Sequence, residues 1–435
     1  MRMPWRKTFL LGLGFFGISL LWPLYDSYVP IFLRAFGLSN VVVGFLMTLD
    51  NYANLFIQPW VGQRSDRTRT RWGRRYPYIL LGAPIAAVGG MLIPLAARHA
   101  LPLLVGAMVV MNVAMALFRS PTVALLGDVF PSALRSRANG VINFMGLLAG
   151  VIAFLGGGAL YRMNPAYPFW AAALMMLGVL SLLIAFVRER AQLRPEATPP
   201  SAGPQPGVVA TLRALVANPD RSALLILSAL LAWSIGFTAI QAFFTLYGKQ
   251  ELGLNESTAS QLLSFYPLAG LIFAIPGGYL GTYLGRRRTM LLCLMVLGGL
   301  LIAFLFISPT ALSEAQTFNL LTPATWFASP TIRLLILMLM GAGAALTVIT
   351  VNVLPMLFDA VPGGQIGSYT GLYYLFGSLA SIMGPPLGGL AVDLTGSYRT
   401  IFVFAPLFVF TGLLLMWRVR GGEARPAAAE IPALA

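Results

Sequence analysis

Charge, histidine and cysteine are all scarce in this sequence, and each shortage closes off a class of function. Only 10% of the 435 residues are charged, whereas soluble globular chains carry about 25%, so water is not the main solvent. The one histidine, His99, falls in a short loop and leaves no cluster for a metal or a proton relay. The one cysteine, Cys293, lies inside an apolar run, so no internal disulfide can form. No nucleophile–base pair, metal set or cofactor motif is present, and neither an enzyme nor a bound cofactor is expected.

What the chain has in excess is apolar length. Hydrophobic residues make up 58% of it. Apolar segments fall at about 8–34, 41–63, 77–98, 101–126, 138–161, 166–188, 221–247, 257–283, 289–308, 331–357, 368–391 and 398–417. Each can cross about 30 Å of hydrocarbon at 1.5 Å per residue. Their Gly and Pro content is tolerated in membrane helices. The basic start, Met1 to Lys7, resembles a signal peptide. The apolar stretch behind it runs to about Leu33 with no small-residue cleavage site, so a retained first helix is expected.

The net charge of +15 invites a nucleic-acid reading, which its distribution removes. With the N-terminus inside, 22 of the 29 basic residues fall on the inner side: the start, Arg64 to Arg75, Arg135, Arg137, the central linker, Arg286 to Arg288 and the tail. The positive-inside rule then predicts two cytoplasmic termini and a multi-pass protein of the cell (inner) membrane, its basic loops resting on anionic lipid. The Pro-rich stretch from Arg194 cannot bury a core and reads as a flexible linker. Val208 to Ala217 reads as a short interfacial helix. The expected units are residues 1–188, a linker 189–220, residues 221–417 and a cytoplasmic tail 418–435.

The two helical units repeat each other. Asp128-Val-Phe-Pro131 is followed nine residues on by Gly140, and Asp359-Ala-Val-Pro362 nine residues on by Gly371. Gly62 and Asp66 lead to Gly73-Arg74-Arg75, as Gly278 and Thr282 lead to Gly285-Arg286-Arg287. Duplicated six-helix bundles have the architecture of major facilitator transporters. The expected fold is therefore an all-α integral membrane protein of twelve transmembrane helices, in two bundles joined by a cytoplasmic linker.

The loop Gln58-Pro59-Trp60-Val61-Gly62-Gln63-Arg64-Ser65-Asp66-Arg67, continuing to Arg71-Trp72-Gly73-Arg74-Arg75-Tyr76-Pro77-Tyr78-Ile79, carries a closer resemblance. It is similar to the glycoside–pentoside–hexuronide cation symporters and the sucrose–proton symporters. Asn112-Val113-Ala114, Pro121 and Ala124-Leu125-Leu126-Gly127-Asp128 resemble the fourth helix of the sucrose type. The resemblance implies sugar uptake with a proton. It also marks two departures: Asn112 stands where the sucrose type has an essential Asp, and Asn54 and Gln58 align with the cation-binding carboxylates of the melibiose type. Sodium coupling of the melibiose type is not expected. In the loop itself, Gly62 and Gly73 permit a tight turn, and Asp66 is poised to cap a helix end and pair with arginines, locking the inner side while the carrier faces outward; Arg67, Arg74 and Arg75 belong to this expected gating set.

Ionisable residues deep in the apolar segments are few: Asp26, Asp50 and Arg119. Asp50, Asn54 and Gln58 form one polar stripe. At 1.5 Å per residue, Asp26, Asp50 and Asn112 share a layer about 12–16 Å below the outer surface, with Arg119 about 10 Å deeper. A carboxylate there costs several kcal/mol unless paired, hydrated or neutralised; protonation removes most of that cost. Asp50 thus reads as a proton carrier, a ligand for substrate hydroxyls or a structural contact. Asp26 shares the proton-coupling reading and, among Trp22, Tyr25 and Tyr28, also reads as a carbohydrate ligand with stacking aromatics or as part of an interfacial belt. Arg119 reads as a partner of Asp128 or of a helix-end carbonyl, or else a substrate ligand. With Asp128 and Arg135 it joins the expected gating set. Gln241, Tyr266, Asn352, Tyr373 and Tyr374 are neutral candidates for the opposite wall.

The expected function is a monomeric, proton-coupled carrier of a di- or oligosaccharide working by alternating access. An exporter of amphipathic or cationic compounds is the alternative. A non-transporting receptor on the same fold is a third reading, disfavoured by the short linker and tail.

Overall fold

The computed structural model describes residues 5–129, 132–187, 208–217, 219–307, 330–361 and 366–422. Most of the expected linker and all of the tail beyond 422 lie outside the described residues. What is described is helical, with no strand among the described residues. The first half holds α1 (Trp5–Ala35), α2 (Asn40–Met47), α3 (Leu49–Arg67), α4 (Tyr76–Ala96), α5 (Leu101–Val129), α6 (Ser132–Met163) and α7 (Tyr167–Phe186). Helix α8 (Val208–Ala217) is the short helix expected before the second half. There follow α9 (Ser222–Gln250), α10 (Glu256–Leu263), α11 (Phe265–Leu284), α12 (Arg286–Ala303), α13 (Pro330–Asp359), α14 (Ile366–Thr395) and α15 (Ile401–Trp417).

Among the described residues, eleven helical stretches are long and apolar enough to cross a membrane. The twelfth expected stretch, 41–63, is helical but broken at Thr48 into α2 and α3, and α3 carries Asp50, Asn51, Asn54 and Gln58. The second half repeats the break at Ser264, between α10 and α11. Both short helices are eight residues long. Each begins on an extended cap residue whose side chain accepts from the backbone: Ser39 from Val42 and Asn255 from Thr258. Each is preceded by a turn that only glycine enters easily, Gly37 at φ 77° and Gly253 at φ 68°. The duplication therefore reaches down to caps, turn and break.

Within the halves α1 packs on α6 and α7, and α4 on α5; α9 packs on α14 and α15, and α11 on α13. Outward faces carry exposed residues such as Phe186, Ile275 and Leu337, a coat suited to acyl chains rather than water. Between the halves, α2 meets α14, α6 meets α10 and α11, and α1 meets α9. The first two contacts lie toward the face opposite the basic loops. There backbones touch through glycine: a Cβ on Gly44 would sit 2.3 Å from the Pro385 carbonyl oxygen, and one on Gly389 would sit 2.2 Å from that of Asn40. Small residues permitting close approach are the usual basis of helix association in membranes.

Candidate functional site

Two chambers lie between the halves. The first, of about 230 Å³, is polar. α1 gives it Trp22 and Asp26, α3 gives Asp50, Asn51 and Asn54, α5 gives Arg119, and α9 and α14 close it with Thr238, Gln241 and Ser381. The second, of about 260 Å³, is walled mainly by Phe154, Phe237, Phe244, Tyr266, Phe304 and Leu339. Trp22, Asp26 and Gln241 line both. The Gln241 side-chain amide donates to the Asp26 carboxylate at 2.6 Å, so one hydrogen bond joins the two halves at the boundary between the chambers.

The chambers are repeat images of each other. In the register that superposes Gly62 on Gly278, Met47, Asp50 and Asn51 of the polar chamber correspond to Leu263, Tyr266 and Pro267 of the apolar one. In the register that superposes Gly140 on Gly371, Ser381 and Pro385 correspond to Gly150 and Phe154. The repeat thus places equivalent positions around two clefts, one lined by polar and one by apolar side chains.

Inside the polar chamber the side chains are partly satisfied by one another. Asn51 donates to Asp50 at 2.8 Å and Gln58 to Asn54 at 2.6 Å. Arg119 makes no ion pair with a described residue, although Asp50 and Tyr374 lie within its electrostatic reach. A guanidinium and two carboxyls around one cavity can bind hydroxyls from both sides, the arginine donating and the carboxylates accepting. The buried indole N–H of Trp22 has no hydrogen-bond partner among the described residues.

The expected site residues separate into groups. Asp26, Asp50, Trp22, Asn54, Gln241 and Tyr266 reach the chambers, and Arg119 lines the polar one together with Asp50. Gln58 touches the polar chamber through Asn54. Tyr25 and Asn112 are buried behind the wall, where the Asn112 amide donates to the Tyr25 hydroxyl at 3.3 Å and Tyr25 meets Trp22 edge-on. Asn352 donates to the carbonyls of Gly277 and Val348 at 2.9 and 2.8 Å, tying α13 to α11. Tyr373 and Tyr374 pack against each other outside both chambers. The side chains of Asp128 and Arg135 lie outside the described residues, so the expected Arg119–Asp128 pair does too. In the basic loop, Arg75 pairs with Asp66 and Gly73 turns at φ 108°, while Arg67 is exposed. In the second copy Arg286 pairs with Asp359.

Reading the sequence missed the closure opposite the basic loops. Asp393, near the end of α14, accepts from the backbone N–H of Asn40 and Val41, each at 2.9 Å, and from the Asn40 side chain at 2.7 Å. Tyr398 donates to the same Asn40 at 2.5 Å. A carboxylate on a helix N-terminus is favourably placed for the backbone dipoles. Its repeat counterpart is Arg162, near the end of α6, which donates to Ser257 at 2.8 Å at the start of α10. The signal was available in the register of the repeats: Arg162 and Asp393 occupy equivalent positions.

Comparison with known proteins fits this arrangement. Multidrug resistance protein 2 of Bacillus subtilis is 22% identical over 94% of this chain and 94% of its own length. The sucrose transport protein SUT1 of Oryza sativa subsp. japonica is 32% identical, over 20% of this chain and 16% of its own. The hexuronate transporter of Bacillus subtilis is 24% identical over 70% of each chain. Among solved structures, a bacterial homologue of the human lysosomal transporter Spinster, inward-facing and occupied, superposes with a TM-score of 0.70 at 15% identity, covering 96% of this chain and 97% of that one. The family model described as Major Facilitator Superfamily matches residues 8–325 and 250–433. With nearly the whole length matched and two duplicated halves enclosing a central cleft, the chain belongs to the Major Facilitator Superfamily, a family of membrane transporters rather than enzymes.

Proposed function

We propose that the protein is a proton-coupled sugar carrier, taking up a di- or oligosaccharide as a monomer in the cell membrane, with both termini in the cytoplasm. The observation that carries this reading is the Asp26–Gln241 hydrogen bond across the halves, beside Asp50, Asn54 and Arg119. A polyol satisfies such a ring of donors and acceptors group by group, and its departure leaves the halves free to rearrange. Asp50 holds the coupling proton, because a carboxyl in a low-dielectric cleft is kept cheaply only when neutralised or paired. Asp26 and Trp22 contact the substrate. The relatives named for sucrose, isoprimeverose and hexuronate add support. The positive-inside rule, under which the basic Arg64–Arg75 loop faces the cytoplasm, supports the orientation.

A second reading, proton-coupled export of amphipathic or cationic compounds, is favoured by the apolar chamber and by the multidrug relative. Uptake of labelled sugars into proteoliposomes, with and without an inward proton gradient, separates the two. Gradient-driven accumulation of a sugar supports the first reading. Expulsion of a fluorescent cation that no sugar competes against supports the second.

A further inference from the structure

We infer that the apolar chamber is a second subsite of the transport site, and that it takes the apolar part of an amphipathic substrate whose polar part sits by Asp26, Asn54 and Arg119 in the polar chamber. The inference rests on the reading above in one respect, that the polar chamber is the substrate seat.

Three observations carry it. The chambers share a wall: Trp22, Asp26 and Gln241 face both, so a molecule held by the Asp26–Gln241 pair is in contact with each. The chambers are equivalent by duplication, yet the positions of Asp50 and Asn51 are held by Tyr266 and Pro267. The second cleft thereby lacks the polar lining of its sister and has a volume, about 260 Å³, that suits an aromatic ring or short alkyl group. Its wall is also built for ring contact, with Phe237 and Tyr266 at 5.4 Å between centroids. A small polar sugar alone would leave this chamber unused. A glycoside bearing a phenyl or similar group would fill both.

The test is binding of matched pairs, methyl and phenyl β-glucosides, galactosides and xylosides, to the full-length protein in nanodiscs by titration calorimetry. The ratio of phenyl to methyl affinity is the readout, because each variant serves as its own reference. In the unmodified protein the ratio is expected to be about tenfold or more, the gain from taking a ring out of water. Ala342→Phe fills the chamber from α13, and Tyr266→Asp restores the polar residue of the sister cleft; both are expected to bring the ratio close to one. A ratio near one in the unmodified protein overturns the inference, as does a ratio that survives both substitutions. Should no glycoside bind, while tetraphenylphosphonium binds and is lost in Ala342→Phe, the sugar reading fails and the apolar subsite stands.

Discussion

Asp393 and Asn40 lie 353 residues apart in sequence and are joined by two hydrogen bonds, at 2.9 and 2.7 Å, that hold the second half against the start of α2 in the first. The bond pattern is that of a helix cap supplied by another bundle. In the proposed alternating-access cycle, this cap must be released whenever the chambers open on that face. Asp393→Asn keeps the shape and removes the charge, a loss of about 1 kcal/mol at a helix terminus. The expected result is a several-fold rise in labelling of Met47→Cys, in a Cys293→Ser background, by a membrane-impermeant maleimide added on that face. Unchanged labelling would mean that the cap does not set the balance between states.

Asp50→Asn is expected to separate coupling from binding. Gradient-driven accumulation should fall to the level of a passive carrier, while exchange of labelled for unlabelled substrate at equal concentrations continues. Loss of both activities would instead make Asp50 a substrate ligand, and full retention would remove it from coupling altogether.

Asp66 pairs with Arg75 inside one half, and Arg75 is nearly enclosed, its side chain 6% exposed against 57% for Asp66. Removing the acid takes the charged partner from an enclosed guanidinium that keeps its bond to Ser65, and water still reaches the pair from the Asp66 side. Asp66→Ala is expected to slow turnover and leave the equilibrium affinity for substrate within about twofold, since the pair touches neither chamber. Paired measurements of substrate binding and transport rate check this.

Packing gives an internally controlled prediction. A Cβ on Gly281 would sit 1.8 Å from the Asn352 side-chain oxygen, at the point where Asn352 ties α13 to α11, whereas a Cβ on Gly299 would meet nothing within 4 Å. Gly281→Ala should cost about 1–3 kcal/mol through overpacking. Gly299→Ala should be neutral or stabilising by up to about 1 kcal/mol, because alanine is the better helix former. Thermal unfolding of the two variants in the same detergent should order them accordingly.

How much of this was legible in the sequence depended on whether a residue's environment was set by composition or by rotation about a helix axis. The membrane class, the helical segments and the duplication follow from hydropathy and repeated glycines, and the fold agrees. Asp26 and Asp50 stood out because charge in hydrocarbon is expensive wherever it points. That Arg119 shares a chamber with Asp50 was not legible, because rise per residue gives depth along a straight helix but not which way a side chain faces. Asn352 shows the same limit, because a polar side chain on an apolar helix can satisfy itself on neighbouring carbonyls as readily as on a ligand. The breaks at Thr48 and Ser264 were hidden inside continuous runs, and Asp393 read as an ordinary helix-end acid.

The glycine seams at Gly44 and Gly389 carry a consequence for how this carrier can change over time. Where backbone lies on backbone, no side chain remains to be exchanged, and any substituent wider than hydrogen pushes the halves apart. The cleft walls, by contrast, are made of side chains facing open volume. A saturation library scored for growth on a transported substrate should therefore show two narrow intolerant stripes along α2 and α14, flanking a permissive interior. New substrate ranges would arise in that interior while the hinge line stays as it is.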